Sequence, residues 1–219
     1  MSIPDFLLDL FFPPKCPFCH KLLPSSAELF CGHCQKALPW TTPSVSEQKV
    51  EFTAGCVSPL YYLDDVRESI HRFKFKNCSG YAGLYGLLMA QAVHDTWPDV
   101  SFDAVTWVPL SKRRKRQRGY DQAMLLAQAI SRQLSLPAAA TLVKVRHTPA
   151  QSGQAEERAR RVNVLNAYNT LSGAELQGKT LLLCDDVVTT GSTLSECARM
   201  LRTAGAEAVY AVTLARGKK

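Results

Sequence analysis

Two adjacent carboxylates followed by a cluster of hydroxyl side chains are the residues of this 219-residue chain best suited to chemistry. Asp185 and Asp186 end the apolar run 181–184, and the sequence TTGST occupies 189–193. Such an apolar run predicts a buried strand, and ligands of open α/β sheets bind at the carboxyl ends of strands. Gly191 permits close backbone approach, while hydroxyls and N–H groups at a helix start bind anions. The pattern predicts a sugar-phosphate site, with ribose hydroxyls on the carboxylates and phosphate on the loop.

Each half of this segment also has a purely structural interpretation. The two aspartates could end a turn, and the Thr and Ser side chains could cap the following helix. Caps of this kind are common, so the hydroxyl cluster alone would be weak evidence. The complete thirteen-residue string at 181–193 is far more specific and favours a ligand site.

Four cysteines near the N-terminus have the spacing of a metal site. They form two C-x-x-C pairs separated by eleven residues, Cys16 with Cys19 and Cys31 with Cys34. Two such pairs complete a tetrahedron around one Zn²⁺, and a segment with so few large apolar groups needs a staple of this kind to fold. With no ligand position left open, the zinc would be structural. A redox-active pair and cysteines without metal are the alternatives, and His20 and His33 are interpreted as bystanders.

A third chemical feature is the run KRRKRQR at 112–118, which holds six cations, so the rest of the net charge of +7 amounts to only +1. The positive charge is therefore concentrated in this one segment, and three interpretations of it stay open. The run could be a solvated loop without a partner, a grip for pyrophosphate, or a contact for nucleic acid. Trp107 and Tyr120 are the aromatic residues close by in sequence, which is thin support for a base-stacking platform.

Alternating helices and strands are predicted to position these residues. The pattern favours helices at 61–76, 84–93 and 122–134, another from the hydroxyl loop through 204, and strands at 104–108, 142–145, 180–188 and 208–214. Gly205 is placed to end the last helix. Such alternation implies a parallel sheet covered by helices on both faces. The polar residues 41–50 indicate a linker before this domain.

Composition limits where the chain can act. Its hydrophobic content of 46% is normal for a globular protein, and without an apolar run of 18 residues no membrane span is expected. The apolar start at 3–12 lacks the basic region and cleavage site of a secretion signal, and we interpret it as a short amphipathic helix. A cytoplasmic location is therefore expected, in which the cysteines would stay reduced; the four scattered ones are interpreted as small buried residues, Cys56, Cys78, Cys184 and Cys197.

Taken together, these segments resemble a known family. The string at 181–193 resembles the phosphoribosyl-pyrophosphate (PRPP) signature of the type I phosphoribosyltransferases. The chain resembles the ComF/GntX family over a larger part of its length. This resemblance lies in the cysteine region and in VPLS 108–111, RGYDQ 118–122, RHTPAQ 146–151 and RARRVNVLNAY 158–168. One departure is Asp121, where that family more often has Asn, and it puts a carboxylate near an anion site.

The resemblance implies a type I phosphoribosyltransferase-like fold, a parallel sheet flanked by helices with a smaller hood. Residues 1–40 would be a small four-Cys zinc-ribbon-like module, 41–58 a linker and 59–219 the phosphoribosyltransferase-like domain. Asp185 and Asp186 would hold the ribose and stabilise a ribosyl cation, with Mg²⁺ on the ligand. The residues implied to bind PRPP are Thr189, Thr190, Gly191, Ser192 and Thr193, with Ser111, Lys112 and Arg113 for the pyrophosphate.

Two further implications concern the loops. Residues 151–161 would form a mobile loop over the site, although EERARR at 156–161 is also typical of a solvated helix start. The remaining cations of the basic run are assigned to single-stranded DNA, namely Arg114, Lys115, Arg116 and Arg118.

Two functions stay open at this point. One is a PRPP-binding protein for uptake or utilisation of external DNA, with single-stranded DNA and other competence proteins as partners. The other is an active phosphoribosyltransferase that transfers ribose 5-phosphate to a base in nucleotide salvage. The sequence identifies no base, and it leaves turnover and the oligomeric state open, with a homodimer as one option.

Overall fold

The computed structural model of the chain describes residues 13–25, 27–42, 47–145 and 165–218. Its helices are α1 (Gly32–Ala37), α2 (Asp64–Phe75), α3 (Ala82–Thr96), α4 (Lys112–Arg118), α5 (Gln122–Leu134) and α6 (Ser192–Thr203). Its strands are β1 (Glu47–Gln48), β2 (Gly55–Val57), β3 (Leu60–Tyr61), β4 (Ala104–Trp107), β5 (Leu142–Lys144), β6 (Tyr168–Thr170), β7 (Thr180–Val188) and β8 (Ala208–Arg216). The helix expected at 3–12 and the mobile loop expected at 151–161 lie outside the described residues.

The main sheet is parallel except at one edge, as the alternation of helices and strands predicts. Its order is β1-β2-β8-β7-β4, with β3 also paired to β8, and among the described strands of this sheet only β1 runs antiparallel to its neighbour. Trp107, the last residue of β4, pairs with Cys184 of β7. The chain therefore leaves β4 beside Asp185, which brings the basic run to the edge that carries the two carboxylates.

Both faces of the sheet are covered because β7 is apolar on both sides. Leu182 and Cys184 pack into one buried cluster with side chains of α2, α3 and α5. Leu181 and Leu183 point to the opposite face and join a second cluster with side chains of α6. Successive strand residues alternate between faces, so a continuous apolar run is what a strand buried between two helical layers requires.

The cysteine module packs on the helices of the first cluster. Phe18, between Cys16 and Cys19, is 1% exposed and its ring centroid lies 5.9 Å from that of Tyr85 on α3. The guanidinium of Arg72, on α2, donates to the backbone carbonyl of Pro17 at 2.9 Å. The module and the sheet domain thus share one hydrophobic core.

Part of the predicted linker belongs to the sheet. Residues 47–57 supply β1 and β2, and β2 is buried along its whole length and pairs with residues 210–212 of β8. The indole of Trp97 donates to Glu47 at 3.2 Å and stacks edge-on against Tyr210 at 4.8 Å. Strands this short have too little periodic pattern to be recognised in a sequence, because their partner strand supplies most of their stability.

The longer elements lie within three residues of the predicted ends. The short strand β6 was not predicted; it pairs antiparallel with β5 in a separate two-stranded sheet. In the part of the chain that the structure describes, no helix has the length and apolar character to cross a membrane.

Candidate functional site

The hydroxyl loop connects β7 to α6, and the N–H of Ser192, the first residue of that helix, donates to Oγ1 of Thr190 at 3.4 Å. Gly191 is the N-cap of α6 and supplies no side-chain cap. Within the loop, the Thr190 and Ser192 hydroxyls are 2.9 Å apart. A helix start without a side-chain cap, next to several hydroxyls, is suited to a phosphate group.

Glycine is required at position 191 for two reasons. Its φ of +78° lies in the left-handed region that residues with a side chain avoid. A Cβ atom there would also lie 3.1 Å from Cγ2 of Val50, which packs against the loop. Glycine was predicted here for the approach of a ligand, whereas the fold requires it even without one.

The two carboxylates near the carboxyl end of β7, Asp185 and Asp186, differ in their environments. The backbone N–H of Asp186 donates to Oδ1 of Asp185 at 2.8 Å. Burial, and next the charge of Asp186, raise the pKa of Asp185 to about 8. Asp186 instead accepts a hydrogen bond from Nζ of Lys74 at 2.6 Å, and the two side chains are only 14% and 19% exposed. The pair therefore combines a carboxyl group with a raised pKa at Asp185 and a close carboxylate–ammonium contact between Asp186 and Lys74.

Lys74 is a site residue that sequence reasoning missed. It lies in the last turn of α2, where a cation is expected simply because it interacts favourably with the helix dipole. Its contact with Asp186 joins residues 112 positions apart. No local pattern marks such a contact, so only the packing of α2 against the sheet reveals it.

Asp121 serves the fold and is not directed at a ligand. It is 4% exposed, accepts from the backbone N–H of Leu110 at 3.0 Å and caps α5 through Met124. Burial raises the pKa of Asp121, and these two N–H groups oppose that shift. An Asn side chain has one acceptor oxygen, whereas Asp has two. Asp121 in place of the family's Asn can therefore accept both from the cap of α5 and from Leu110 in the segment after β4.

The basic run forms the helix α4, because Ser111 caps its start and Gly119 ends it with a φ of +82°. A solvated loop was one of the three interpretations of its sequence. The helix divides its cations between two faces. Arg114 and Arg118, one turn apart, are half-buried, whereas the other four cations are exposed: Lys112, Arg113, Lys115 and Arg116.

The half-buried face of α4 belongs to the carboxylate edge. Arg118 donates to Gln122 at 2.7 Å, and its guanidinium carbon lies 4.7 Å from the ring centroid of Phe75. Burial lowers the pKa of Arg118, and the charge of Asp186 opposes that shift. The assignment of Arg114 and Arg118 to DNA and of Lys112 and Arg113 to PRPP follows their order in the chain, whereas the structure separates them by face.

The two-stranded sheet of β5 and β6 contributes another cation, Lys144. Nζ of Lys144 donates to the hydroxyl of the buried Tyr168 at 3.0 Å and lies 4.9 Å from its ring centroid. Burial, and next the charge of Arg114, lower the pKa of Lys144, while the charge of Asp185 raises it. Lys144 is thus within electrostatic reach of the carboxylate edge and was not marked by the sequence.

The four cysteines of the N-terminal module meet at one point. Their sulfur atoms all lie within 4.8 Å of one another, and those of Cys19 and Cys31 are 3.6 Å apart. Tetrahedral zinc with bonds of about 2.3 Å needs sulfur atoms about 3.8 Å apart, so the cluster fits the metal. Neither His20 nor His33 belongs to the cluster found among the described residues.

Comparisons with known proteins agree with both sites. The profile of the phosphoribosyl transferase domain matches residues 121–219, and that of the double zinc ribbon domain matches residues 7–46. The chain is 36% identical to Competence protein F of Haemophilus influenzae over 208 residues, which are 93% of this chain and 85% of that protein. It is 34% identical to the DNA utilization protein YhgH of Escherichia coli K12 over 206 residues, 92% and 83% of the two chains.

A solved structure of glutamine PRPP amidotransferase from Bacillus subtilis, complexed with ADP and GMP, matches at 25% identity with a TM-score of 0.42, over 62% of this chain and 26% of that one. The relatives that align along nearly the whole chain, together with the zinc ribbon and the phosphoribosyl transferase domain, establish that the chain belongs to the ComF/GntX family, with a structural zinc in its N-terminal module.

Proposed function

We propose that this protein binds PRPP together with Mg²⁺ at the carboxyl edge of β7, and that it serves uptake or utilisation of external DNA in the cytoplasm. One observation carries the proposal. Two half-buried carboxylates lie near the carboxyl end of β7, and the strand is followed by the first turn of α6, which presents hydroxyls and N–H groups. This juxtaposition suits a ligand with both ribose hydroxyls and a phosphate group.

Each part of the ligand has a chemically matched surface. Ribose hydroxyls donate to Asp185 and Asp186, and the 5′-phosphate accepts from the groups of the 189–193 loop. Mg²⁺ prefers carboxylate, phosphate and water oxygens, so it would bridge the ligand and its water shell at this edge. The diphosphate is assigned to the segment that follows β4, where Ser111, Lys112 and Arg113 begin the basic helix.

The exposed face of α4 supports a contact with single-stranded DNA. Lys115 and Arg116, the exposed cations of this helix that are not assigned to the diphosphate, provide a sequence-independent attraction for phosphates. The named functions of the relatives, competence and DNA utilization, point to the same polymer. Other competence proteins are the partners expected for such a role.

The proposal requires binding and does not require turnover. An active phosphoribosyltransferase is the alternative hypothesis, and it predicts release of pyrophosphate from Mg·PRPP when a suitable base is added. Incubation with a panel of nucleobases, with and without single-stranded DNA, distinguishes the two. Sustained release with one base would favour the transferase.

Calorimetric titration with PRPP tests the site itself. Thr190→Val removes one hydroxyl and keeps the side-chain shape, so it should weaken PRPP binding about tenfold, the worth of one strong hydrogen bond. Thr203→Val, at the exposed far end of α6, is the matched control and should bind as the wild type does. Gly191→Val is a poor test, because its φ and Val50 would disturb the loop without any ligand.

Wild-type protein that fails to bind PRPP in the presence of Mg²⁺ would overturn the proposal. Equal affinities of Thr190→Val and the wild type would show that the loop does not hold the phosphate.

A further inference from the structure

Lys74 approaches the carboxylate edge from outside the segments assigned to PRPP. Its ammonium lies 2.6 Å from Oδ1 of Asp186, and its side chain is 19% exposed, so solvent still reaches it. An ammonium can donate three hydrogen bonds. Among the described residues, Asp186 is the acceptor that uses one of them, which leaves donors for a further oxygen.

The last turn of α2 holds Lys74 in place from both sides. The preceding Phe73 is fully buried, and its carbonyl accepts from the hydroxyl of Tyr120. The following Phe75 stacks with Arg118, while Arg72 donates to carbonyls of the zinc module. The helix end is therefore fixed to the sheet domain, to the basic helix and to the cysteine module. Little backbone freedom remains to be lost when Lys74 makes a contact.

A polyanionic ligand meets an electrostatic difficulty at this edge. The carboxylate of Asp186 repels a diphosphate, because both groups are negatively charged. A cation held against one carboxylate cancels much of that repulsion. Arg118 lies within electrostatic reach of the same carboxylate from the side of α4, from which the diphosphate contacts are expected.

We propose that Lys74 is a further ligand-binding residue of the PRPP site: it neutralises Asp186 in the free protein and donates to the diphosphate of the bound ligand. This inference rests on the proposed function, since it assigns a residue to the same site. The 5′-phosphate is left to the 189–193 loop, so the two anionic ends of the ligand have separate partners.

Calorimetric titration of Mg·PRPP into charge variants of α2 tests the proposal. Lys74→Met should weaken binding at least tenfold, which corresponds to about 1.4 kcal/mol. Lys74→Arg keeps the charge and should stay within about threefold of the wild type. Lys76→Met, which removes an exposed cation two residues further on, is the matched control and should leave affinity unchanged.

Two simpler ligands separate the ends of PRPP. Pyrophosphate with Mg²⁺ should lose as much affinity for Lys74→Met as PRPP does, whereas ribose 5-phosphate should lose less than about threefold, because its phosphate binds the loop. Lys74→Met should also need a higher Mg²⁺ concentration for half-maximal binding, since the metal takes over part of the missing charge. A loss confined to ribose 5-phosphate would overturn the assignment to the diphosphate.

A second variant guards against loss of folding as the cause of weaker binding. If Lys74→Met alone unfolds, the double variant Lys74→Met/Asp186→Asn removes both charges, and it should bind PRPP more weakly than Asp186→Asn does. If a folded Lys74 variant binds PRPP as tightly as the matching protein that keeps Lys74, the inference about Lys74 is wrong and the proposed function stands. Absence of PRPP binding by the wild type defeats both, and the first titration reveals it.

Discussion

The zinc module and the carboxylate edge are built on opposite principles. In the module, four sulfur atoms converge on one point, and the peptide around them is hydrogen-bonded to α2 and shares its core. At the edge, two carboxylates lie side by side with the pKa of one raised to about 8, and the helix start beyond them has no side-chain cap. A saturated metal cluster stabilises the fold. The carboxylate edge has two acidic groups close together and a helix start without a side-chain cap. Such an arrangement lowers the stability of the fold and is suited to binding a ligand.

The sharpest test of this comparison removes a metal ligand. Cys31→Ser should lose the zinc and most of the module's order, because the binding energy of structural zinc, about 10 kcal/mol or more, is folding energy. Elemental analysis should give one zinc per wild-type chain and none for the variant. Since the module shares a core with α2 and α3, the urea midpoint of the whole protein should also fall.

The control for this experiment is Cys78→Ser, because Cys78 lies outside the sulfur cluster. It should keep its zinc and its unfolding midpoint. Retention of a full zinc ion by Cys31→Ser would show that the metal is held elsewhere.

At the carboxylate edge, we expect a substitution to increase the stability of the protein and not to decrease it. Asp185→Asn removes a carboxyl group whose pKa is raised by burial to about 8, so it should stabilise the protein by about 1–3 kcal/mol at neutral pH. In the wild type, the unfolded state ionises near pH 4 and the folded state near pH 8. The contribution of Asp185 to stability therefore falls as pH rises through that window.

Urea unfolding at about pH 5 and about pH 9 measures this effect. The gap between Asp185→Asn and the wild type should widen with pH. Asp186→Asn removes the partner of Lys74 and should gain no stability. Destabilisation by Asp185→Asn across the whole range would mean that the carboxylate supports the fold, and the comparison with the zinc module would fail.

A third test separates the two faces of α4. Changing Lys115 and Arg116 together to Ala should flatten the salt dependence of single-stranded DNA binding by about 1.4 in log–log slope, at about 0.7 per phosphate contact. Affinity should fall alike for all base sequences, since phosphate contacts carry no base information. Arg118→Ala, on the half-buried face, should change the slope by much less, and fluorescence anisotropy over a salt series measures both variants.

An equal loss of slope in Arg118→Ala would place DNA on the carboxylate edge as well. PRPP would then compete with DNA for one anion site, and the division of α4 by face would be wrong.

The smallest effect is expected at Asp121, which lies near the ligand edge but is saturated like the zinc module. Asp121→Asn keeps the cap of α5 and loses the second acceptor, so it should cost about 1 kcal/mol in the free energy of unfolding. PRPP affinity should stay within about threefold. A large loss of PRPP affinity without a loss of stability would falsify the structural role assigned to this carboxylate.

Features that depend on local pattern could be predicted without a structure. An apolar run ending in two aspartates, a hydroxyl loop and two C-x-x-C pairs each have a spacing that few other structures require. For the same reason the longer helices and strands, the parallel sheet and the zinc cluster could be predicted. The short strands β1 and β2 could not, because their stability comes from the neighbouring strand and not from their own residues.

Which residues share the site, and in what environment, became clear from the packing of the chain. Lys74 reaches Asp186 across 112 positions, and α4 turns Arg114 and Arg118 inward while the other four cations face outward. The raised pKa of Asp185 also depends on its burial and on the neighbouring charge of Asp186. Burial and long-range contact arise from packing, so a linear sequence specifies them only through the complete fold.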